Sequence, residues 1–397
     1  MKNLAQKYGT PLYIYKFDEI KKRYLELKEA FHARKSLVCY AVKANSNLSL
    51  LKFLADLGSG FDCVSFNEVR RALLAGAKNY QIIFSGVGKR DDEIEEALKA
   101  GILMINLESE AELLRVEKIA KKLNTKARIS IRVNPNIDPK THPYISTGLD
   151  ENKFGVSIEV AKKMYIMAKN SEFLEPIGIH FHIGSQLLDI SPICESAKIV
   201  SKLMSDLKVL NIDIKFFDIG GGIGIRYKDE VRPNLYDYAQ GVLATLSGQD
   251  VTIVMEPGRF LVGESGYLLT KVLYEKENEG KRFVIVDAAM NDLLRPSLYG
   301  AYHEIEALEK DGNLSSCDVV GPICESGDFL GKNVMLPHLE SGDLLVVKGA
   351  GAYGFTMASN YNSRQKAAEV AIIEGKDKLI RKRESFEDLV KDEVEFL

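Results

Sequence analysis

The sequence has no run of 18 apolar residues, so no stretch is long enough to cross a bilayer as a helix. It has little excess charge: 53 Lys and Arg stand against 56 Asp and Glu, a formal net charge of −3. That balance argues against a protein built mainly to grip a nucleic-acid backbone, which needs a clear basic excess. It has few cysteines, five, at positions 39, 63, 194, 317 and 324. They are too few and too scattered for a disulfide framework or a zinc knuckle. Residues 1–8 also lack the apolar stretch of a secretory leader. The expected setting is the cytoplasm, with reduced thiols and neither membrane nor nucleic acid as partner. What is present is ordinary for a folded enzyme-sized chain: 46% hydrophobic and 27% charged residues over 397 positions. At about 150 residues per domain, that length suggests two domains, or a barrel with an appendage.

Short β-rich apolar runs alternate with helical patterns over the first two-thirds of the chain. The runs are 37–42, 60–65, 81–85, 103–107, 127–133, 176–183, 214–219 and 251–256. Between them lie amphipathic stretches such as 67–75 and 91–100, opening on Asn67 and Asp91 as expected caps and closing at Gly76 and Gly101. Eight such runs, mostly separated by one helix each, match the count of a (β/α)₈ TIM-type barrel. A doubly wound sheet shares the alternation but usually has fewer strands. Past residue 262 the texture changes: 267–273, 282–286, 317–320 and 343–348 read as strands without long helices between them. The expected fold is therefore a barrel over 20–261 followed by a C-terminal β-sandwich or β-barrel-like domain. Residues 11–15 also read as a strand able to return to that second domain. One long loop, 135–155, is rich in Pro, Asn, Thr and Gly, and loops of that length tend to be functional.

Barrel chemistry sits at the carboxyl ends of the strands. The first run ends in Tyr-Ala-Val-Lys-Ala-Asn, which places Lys43 at its tip. An amine inside an apolar run is costly to bury unless it is paired, neutralised or covalently used, although it can also simply emerge into solvent. The sixth run carries His180 and His182, which share a face. A metal site would need further ligands from other strands, and the remaining histidines lie on no barrel strand, so no metal is expected and His180 reads as a satisfied core residue. The seventh run ends in Asp218 and the triplet Gly220, Gly221 and Gly222, where backbone N–H groups can converge on an anion. The eighth ends in Glu256, Pro257, Gly258 and Arg259, which add donors beside it. Loops after strands seven and eight are the usual phosphate site of barrels. A phosphate cradle, a lysine and a carboxylate together suit pyridoxal 5′-phosphate. Lys43 would hold its aldehyde, Glu256 would keep the ring nitrogen protonated, and His182 would lie against the ring.

Seven motifs, in order, extend the pattern over the whole chain: those at 40–45, 60–65, 180–186, 220–222, 256–259, Cys-Glu-Ser-Gly-Asp at 324–328 and Gly-Ala-Tyr-Gly at 351–354. With them the chain resembles the group III pyridoxal-phosphate decarboxylases of alanine-racemase-like fold. The resemblance implies that Lys43 carries the cofactor and that His182 stacks on it. Ser185, Gly221, Gly222 and the Gly258–Arg259 backbone would hold its phosphate, with Tyr353 as neighbour. Asp62 and Arg132 would stand near the cofactor linkage and the ring hydroxyl. Cys324 and Glu325 resemble a pair that a second subunit inserts, so a homodimer sharing its active site is implied. Residues 20–261 would then bind the cofactor, and 1–19 with 262–397 would serve the dimer and the substrate site.

The resemblance is closest to the branch that decarboxylates meso-2,6-diaminopimelate at its D-centre to L-lysine and CO₂. That substrate has an ammonium and a carboxylate at each end. Arg295 suits the distal carboxylate and Glu325 the distal ammonium, with Tyr299, Arg259 and Tyr353 also expected at the substrate. The bland reading of Arg295 is a surface salt bridge, and that of Cys324 a small buried hydrophobe. The implied acid that protonates Cα is the Cys324 thiol, directly or through water. Residues 141–148 resemble the family's active-site lid. Carboxynorspermidine, ornithine or arginine decarboxylases, and a non-catalytic regulatory relative, are the alternatives.

Overall fold

The computed structural model describes residues 1–138, 153–309 and 311–397. They divide into two compact units: Lys21–Ile225 with Val231–Leu261, and Met1–Ile20 with Arg226–Glu230 and Val262–Leu397. The expected lid at 141–148 lies outside the described residues.

The first strand, β1 (Leu12–Lys16), belongs to the second of these units. The other unit is a closed barrel of eight strands. They are β2 (Ser36–Ala41), β3 (Gly60–Cys63), β4 (Ile82–Phe84), β5 (Met104–Leu107), β6 (Ala127–Arg132), β7 (Leu174–His180), β8 (Phe216–Asp218) and β9 (Thr252–Met255). Each pairs in parallel with the next, and β9 closes on β2. All eight expected runs are barrel strands. Their cores read as unbroken apolar stretches because a parallel strand in a barrel is covered on both faces.

The helices between them follow local rules. In Glu110–Lys122 the Ser109 side chain accepts from the N–H of Glu112, and Leu113, Val116, Ile119 and Ala120 form the buried stripe. Two expected caps are corrected. The helix Phe66–Leu74 is capped by Ser65, not Asn67, because the Ser65 side chain reaches the N–H of Glu68. Asp91 is the first residue inside its helix, and the Glu93 carboxylate accepts from the N–H of Arg90 at 3.2 Å.

The second unit is a mixed, mostly antiparallel sheet. Its further strands are β10 (Gly266–Asn278), β11 (Lys281–Val286), β12 (Ile305–Ala307), β13 (Ser315–Val320), β14 (Phe329–Leu336), β15 (Leu344–Val347), β16 (Ala368–Ile373) and β17 (Lys376–Arg381). The order is β14-β13-β11-β10-β1-β16-β17, with β15 on β10 and β12 on β15. β1 thus joins this sheet as an interior strand, antiparallel to β10 and parallel to β16. The segment Arg226–Glu230 groups with this unit although it falls between two barrel strands. Tyr227 accounts for that: its ring meets His303 edge-on at 5.4 Å, and the Arg295 guanidinium lies 4.9 Å from its centre.

Candidate active site

β2 ends at Ala41, and Lys43 sits just beyond it in the short turn Val42–Ala44, not on the strand itself. Its neighbours Val42 and Ala44 are buried, whereas its own side chain is 41% accessible, with Nζ 3.6 Å from Oδ2 of Asp62. Asp62 is aligned with Ala41 on the adjacent strand. Its Oδ1 accepts from Ser85 Oγ at 2.6 Å, and Ser85 accepts from Asn106 Nδ2 at 3.1 Å. Burial and the nearby Glu256 charge push the Asp62 carboxyl upward, and Lys43 opposes them.

Arg132 ends β6 and is buried. One guanidinium nitrogen donates to Glu108 Oε1 and the other to the carbonyl of His182, each at 3.2 Å. The second Glu108 oxygen accepts from the N–H of Gly155 at 3.0 Å, and Arg132 lies 4.7 Å from the Phe154 ring. The N–H of Gly221 donates to Nδ1 of His182 at 3.2 Å. A backbone N–H can only donate, so Nδ1 carries the lone pair. Desolvation, with Arg132 and Lys43 nearby, holds this imidazole well below its ordinary pKa. It is a neutral ring of fixed tautomer.

Gly221 must be glycine: a Cβ there would stand 2.3 Å from the carbonyl oxygen of Glu256. Ser185 Oγ accepts from Arg259 at 3.2 Å, and Gly258 and Arg259 are buried. The adjoining Gln186 exchanges two hydrogen bonds with the backbone of Ile225, which pins this loop. Glu256 is 6% exposed, with Oε2 3.3 Å from Nε2 of His180, while its Oε1 has no hydrogen-bond partner among the described residues.

One expectation about the His pair is corrected. His180 is buried, and its Nε2 faces the Glu256 carboxylate at 3.3 Å. Other strands do bring carboxylates to it: ligand atoms of His180, Asp218 and Glu256 lie within 4.8 Å of one another. Strand-by-strand reading missed this because His180 and Asp218 become neighbours only through the register of β7 and β8.

The remaining expected residues belong to the β unit. Arg295 opens the short helix Arg295–Tyr299 and is 6% exposed, so it is no surface salt bridge. Its Nη1 is 2.8 Å from Nε2 of His303, whose Nδ1 is 2.8 Å from the Lys348 carbonyl oxygen. The carbonyl can only accept, so Nδ1 bears the proton and Nε2 accepts from the arginine. Tyr299 is half-buried. Cys324 is exposed, which rules out the small-hydrophobe reading. Its N–H donates to Asn362 Oδ1 at 3.0 Å, and Glu325 accepts from Tyr361 Oη at 3.1 Å. Asp328 fastens this loop by accepting from the N–H groups of Met290 and Ile323, each at 2.7 Å. Tyr353 adopts a left-handed φ of 57°, a costly state for an aromatic residue and a mark of functional sites.

Sequence reading missed Ser85, Asn106, Glu108, Tyr227 and His303. The first three lie in or just after β4 and β5, whose ends were not read for chemistry. Tyr227 and His303 carry no motif.

The barrel mouth fits pyridoxal phosphate. It holds an accessible lysine amine, a neutral imidazole, a glycine turn that tolerates no Cβ, and a buried carboxylate oxygen lacking the donor that a protonated pyridine nitrogen would supply. Fold and site together define a pyridoxal-phosphate-binding barrel enzyme. The family model described as the pyridoxal-binding domain of pyridoxal-dependent decarboxylases matches residues 17–263. Diaminopimelate decarboxylase of Campylobacter jejuni is 65% identical over 397 residues, covering all of this chain and 99% of that protein. The Neisseria meningitidis enzyme of the same name is 49% identical, covering 98% of this chain and 94% of that one. The crystal structure of Helicobacter pylori diaminopimelate decarboxylase complexed with L-lysine superposes with a TM-score of 0.97 at 58% identity, covering both chains fully. The chain belongs to the pyridoxal-dependent decarboxylases and, among them, to the diaminopimelate decarboxylase family.

Proposed function

We propose that this protein uses pyridoxal phosphate to remove CO₂ from the D-centre of meso-2,6-diaminopimelate, releasing L-lysine as the last step of lysine biosynthesis. The observation that carries the reading is the coincidence, at one barrel mouth, of Lys43 and a buried Glu256 oxygen with no donor among the described residues. Held by these residues, the cofactor would supply a sink for the electrons left when CO₂ departs.

The chain's own residues do the rest. Lys43 holds the cofactor, and Asp62 keeps a proton near that amine. His182 offers an uncharged face to the ring, and Arg132 stands by the ring hydroxyl. Ser185, Gly221, Gly222 and the backbone of Gly258 and Arg259 take the phosphate, with Tyr353 beside them. Arg295 receives the distal carboxylate and Glu325 the distal ammonium, assisted by Tyr299, Arg259 and Tyr353. Cys324 returns a proton to Cα. Cys324 and Glu325 serve the site of a second copy, so the working unit is a homodimer. The cytoplasm suits this chemistry and leaves all five cysteines as the free thiols they are here.

A substrate panel scored by CO₂ release tests the reaction, with diaminopimelate expected to exceed ornithine, arginine and carboxynorspermidine. Equal or better turnover of any of these would overturn the assignment. Mixing inactive Lys43→Ala with inactive Cys324→Ala chains tests the shared site. Regained activity is expected, and none would restrict Cys324 to its own chain.

A further inference from the structure

Three neighbouring barrel strands each deliver one ionisable group to the same point. His180 closes β7, Asp218 closes β8, and Glu256 follows β9. His180 and Asp218 are register partners, so their side chains share a face. All three are at most 6% exposed, and their ligand atoms lie within 4.8 Å of one another. Asp218 Oδ1 accepts from the N–H of Gly220 at 2.9 Å, while among the described residues its Oδ2, Nδ1 of His180 and Oε1 of Glu256 have no hydrogen-bond partner.

Two buried carboxylates this close do not both ionise, because desolvation and mutual repulsion add. One must keep a proton. Glu256 has the imidazole of His180 at 3.3 Å, with Lys43 also acting on it, whereas Asp218 Oδ1 accepts from the N–H of Gly220 among the described residues.

We propose that His180 and Asp218 are positioning residues that fix the charge of Glu256: Asp218 keeps the proton of the acid pair, His180 stands against Oε2, and Oε1 is left as an anionic acceptor for the cofactor's ring nitrogen. The proposal rests on the role given to Glu256 above. Titration behaviour agrees with the geometry. Burial and the Glu256 charge raise Asp218 well above the carboxylate range, whereas Glu256, despite its burial, is drawn down to about 2, chiefly by His180 and then by Lys43. Asp62 and Cys39 also feel this cluster and are raised by burial and its negative charge. The consequence is chemical: a ring nitrogen opposed by an anion stays protonated and draws electrons strongly.

Holoenzyme loaded with ring-¹⁵N-labelled pyridoxal phosphate tests this by NMR, since the ring-nitrogen shift reports its protonation. The native protein and Asp218→Asn, whose amide mimics the protonated acid, are expected to show a protonated nitrogen. Glu256→Gln and His180→Phe are expected to lose that signal, and His180→Gln to restore part of it. For His180→Phe, kcat is expected to fall at least about tenfold, the worth of one pKa unit, with KM unchanged. If Glu256→Gln loses the signal while cofactor-saturated His180→Phe and His180→Gln both keep it, the inference fails and the Glu256 reading stands. If Glu256→Gln keeps it, the Glu256 reading itself fails. Stoichiometric metal in native holoenzyme, lost from His180→Gln, would also overturn the proposal in favour of a cation site.

Discussion

The Arg295 guanidinium donates to Nε2 of His303 at 2.8 Å, and the opposite ring nitrogen of that histidine is committed to the Lys348 carbonyl. The imidazole is thereby held neutral, with its lone pair facing the arginine. Replacing His303 by Phe removes the acceptor while keeping a flat ring. The expected loss is about 1.5–3 kcal/mol of arginine positioning, or ten- to a hundredfold in kcat/KM, carried mainly by KM for diaminopimelate. Steady-state kinetics decide it, and a fall confined to kcat would refute this role.

Lys43→Ala is expected to abolish the visible absorbance of protein-bound cofactor and all CO₂ release. Its amine is the cation beside the buried Asp62 carboxylate, so the cofactor-free chain should also lose some stability on heating, a loss that Lys43→Arg should largely avoid. An unchanged spectrum would remove Lys43 as the attachment point.

Lys89 is a separate, structural matter. Its amine is 1% accessible and binds Glu112 and the carbonyls of Gly86 and Asn106 at 2.6–2.7 Å. Lys89→Met strands the buried Glu112 carboxylate, and about 3–5 kcal/mol of stability should be lost. Adding Glu112→Leu should recover part of it. Denaturant unfolding of both variants is the measurement, and a single variant as stable as the native chain contradicts the expectation.

Asp292 predicts a pH effect. Burial raises its carboxyl from 3.8 to about 7 against the opposing N–H of Ala289. The folded chain therefore holds a proton between about pH 4 and 7 that the unfolded chain has released. This contribution to stability is complete below about pH 4 and fades as pH rises to 7, by up to about 4 kcal/mol. Asp292→Asn should gain stability relative to the native chain at pH 7.5 compared with pH 4.5. Parallel unfolding curves at the two pH values would show that Asp292 does not titrate in this way.

The barrel was legible because each of its strands is an apolar run ended by a turn and followed by an amphipathic helix. The second sheet was less so. β17 reads Lys-Asp-Lys-Leu-Ile-Arg, since a strand at the sheet's end needs no apolar face, and β16 hides a fully buried Glu369 that Tyr15 and Arg381 satisfy. Helix caps were misplaced by one or two residues, since Ser65 and Glu93 act from positions that periodicity does not weigh. Within the site, residues set in motifs were readable. Supporting residues such as Ser85, Glu108 and His303 acquire meaning only from which strand ends and loops face one another.

β1 lies inside its sheet, yet in the chain it precedes the whole barrel. About 250 residues separate Lys16 from Gly266, where β10 begins, and about 350 separate it from Ala368, where β16 begins. The barrel segment is therefore synthesised whole while an apolar strand with two bare edges waits for both neighbours, a hazard for misassociation in a crowded cell. Nascent chains stalled before β16 should attract holding chaperones, and release should come only once β16 has been made.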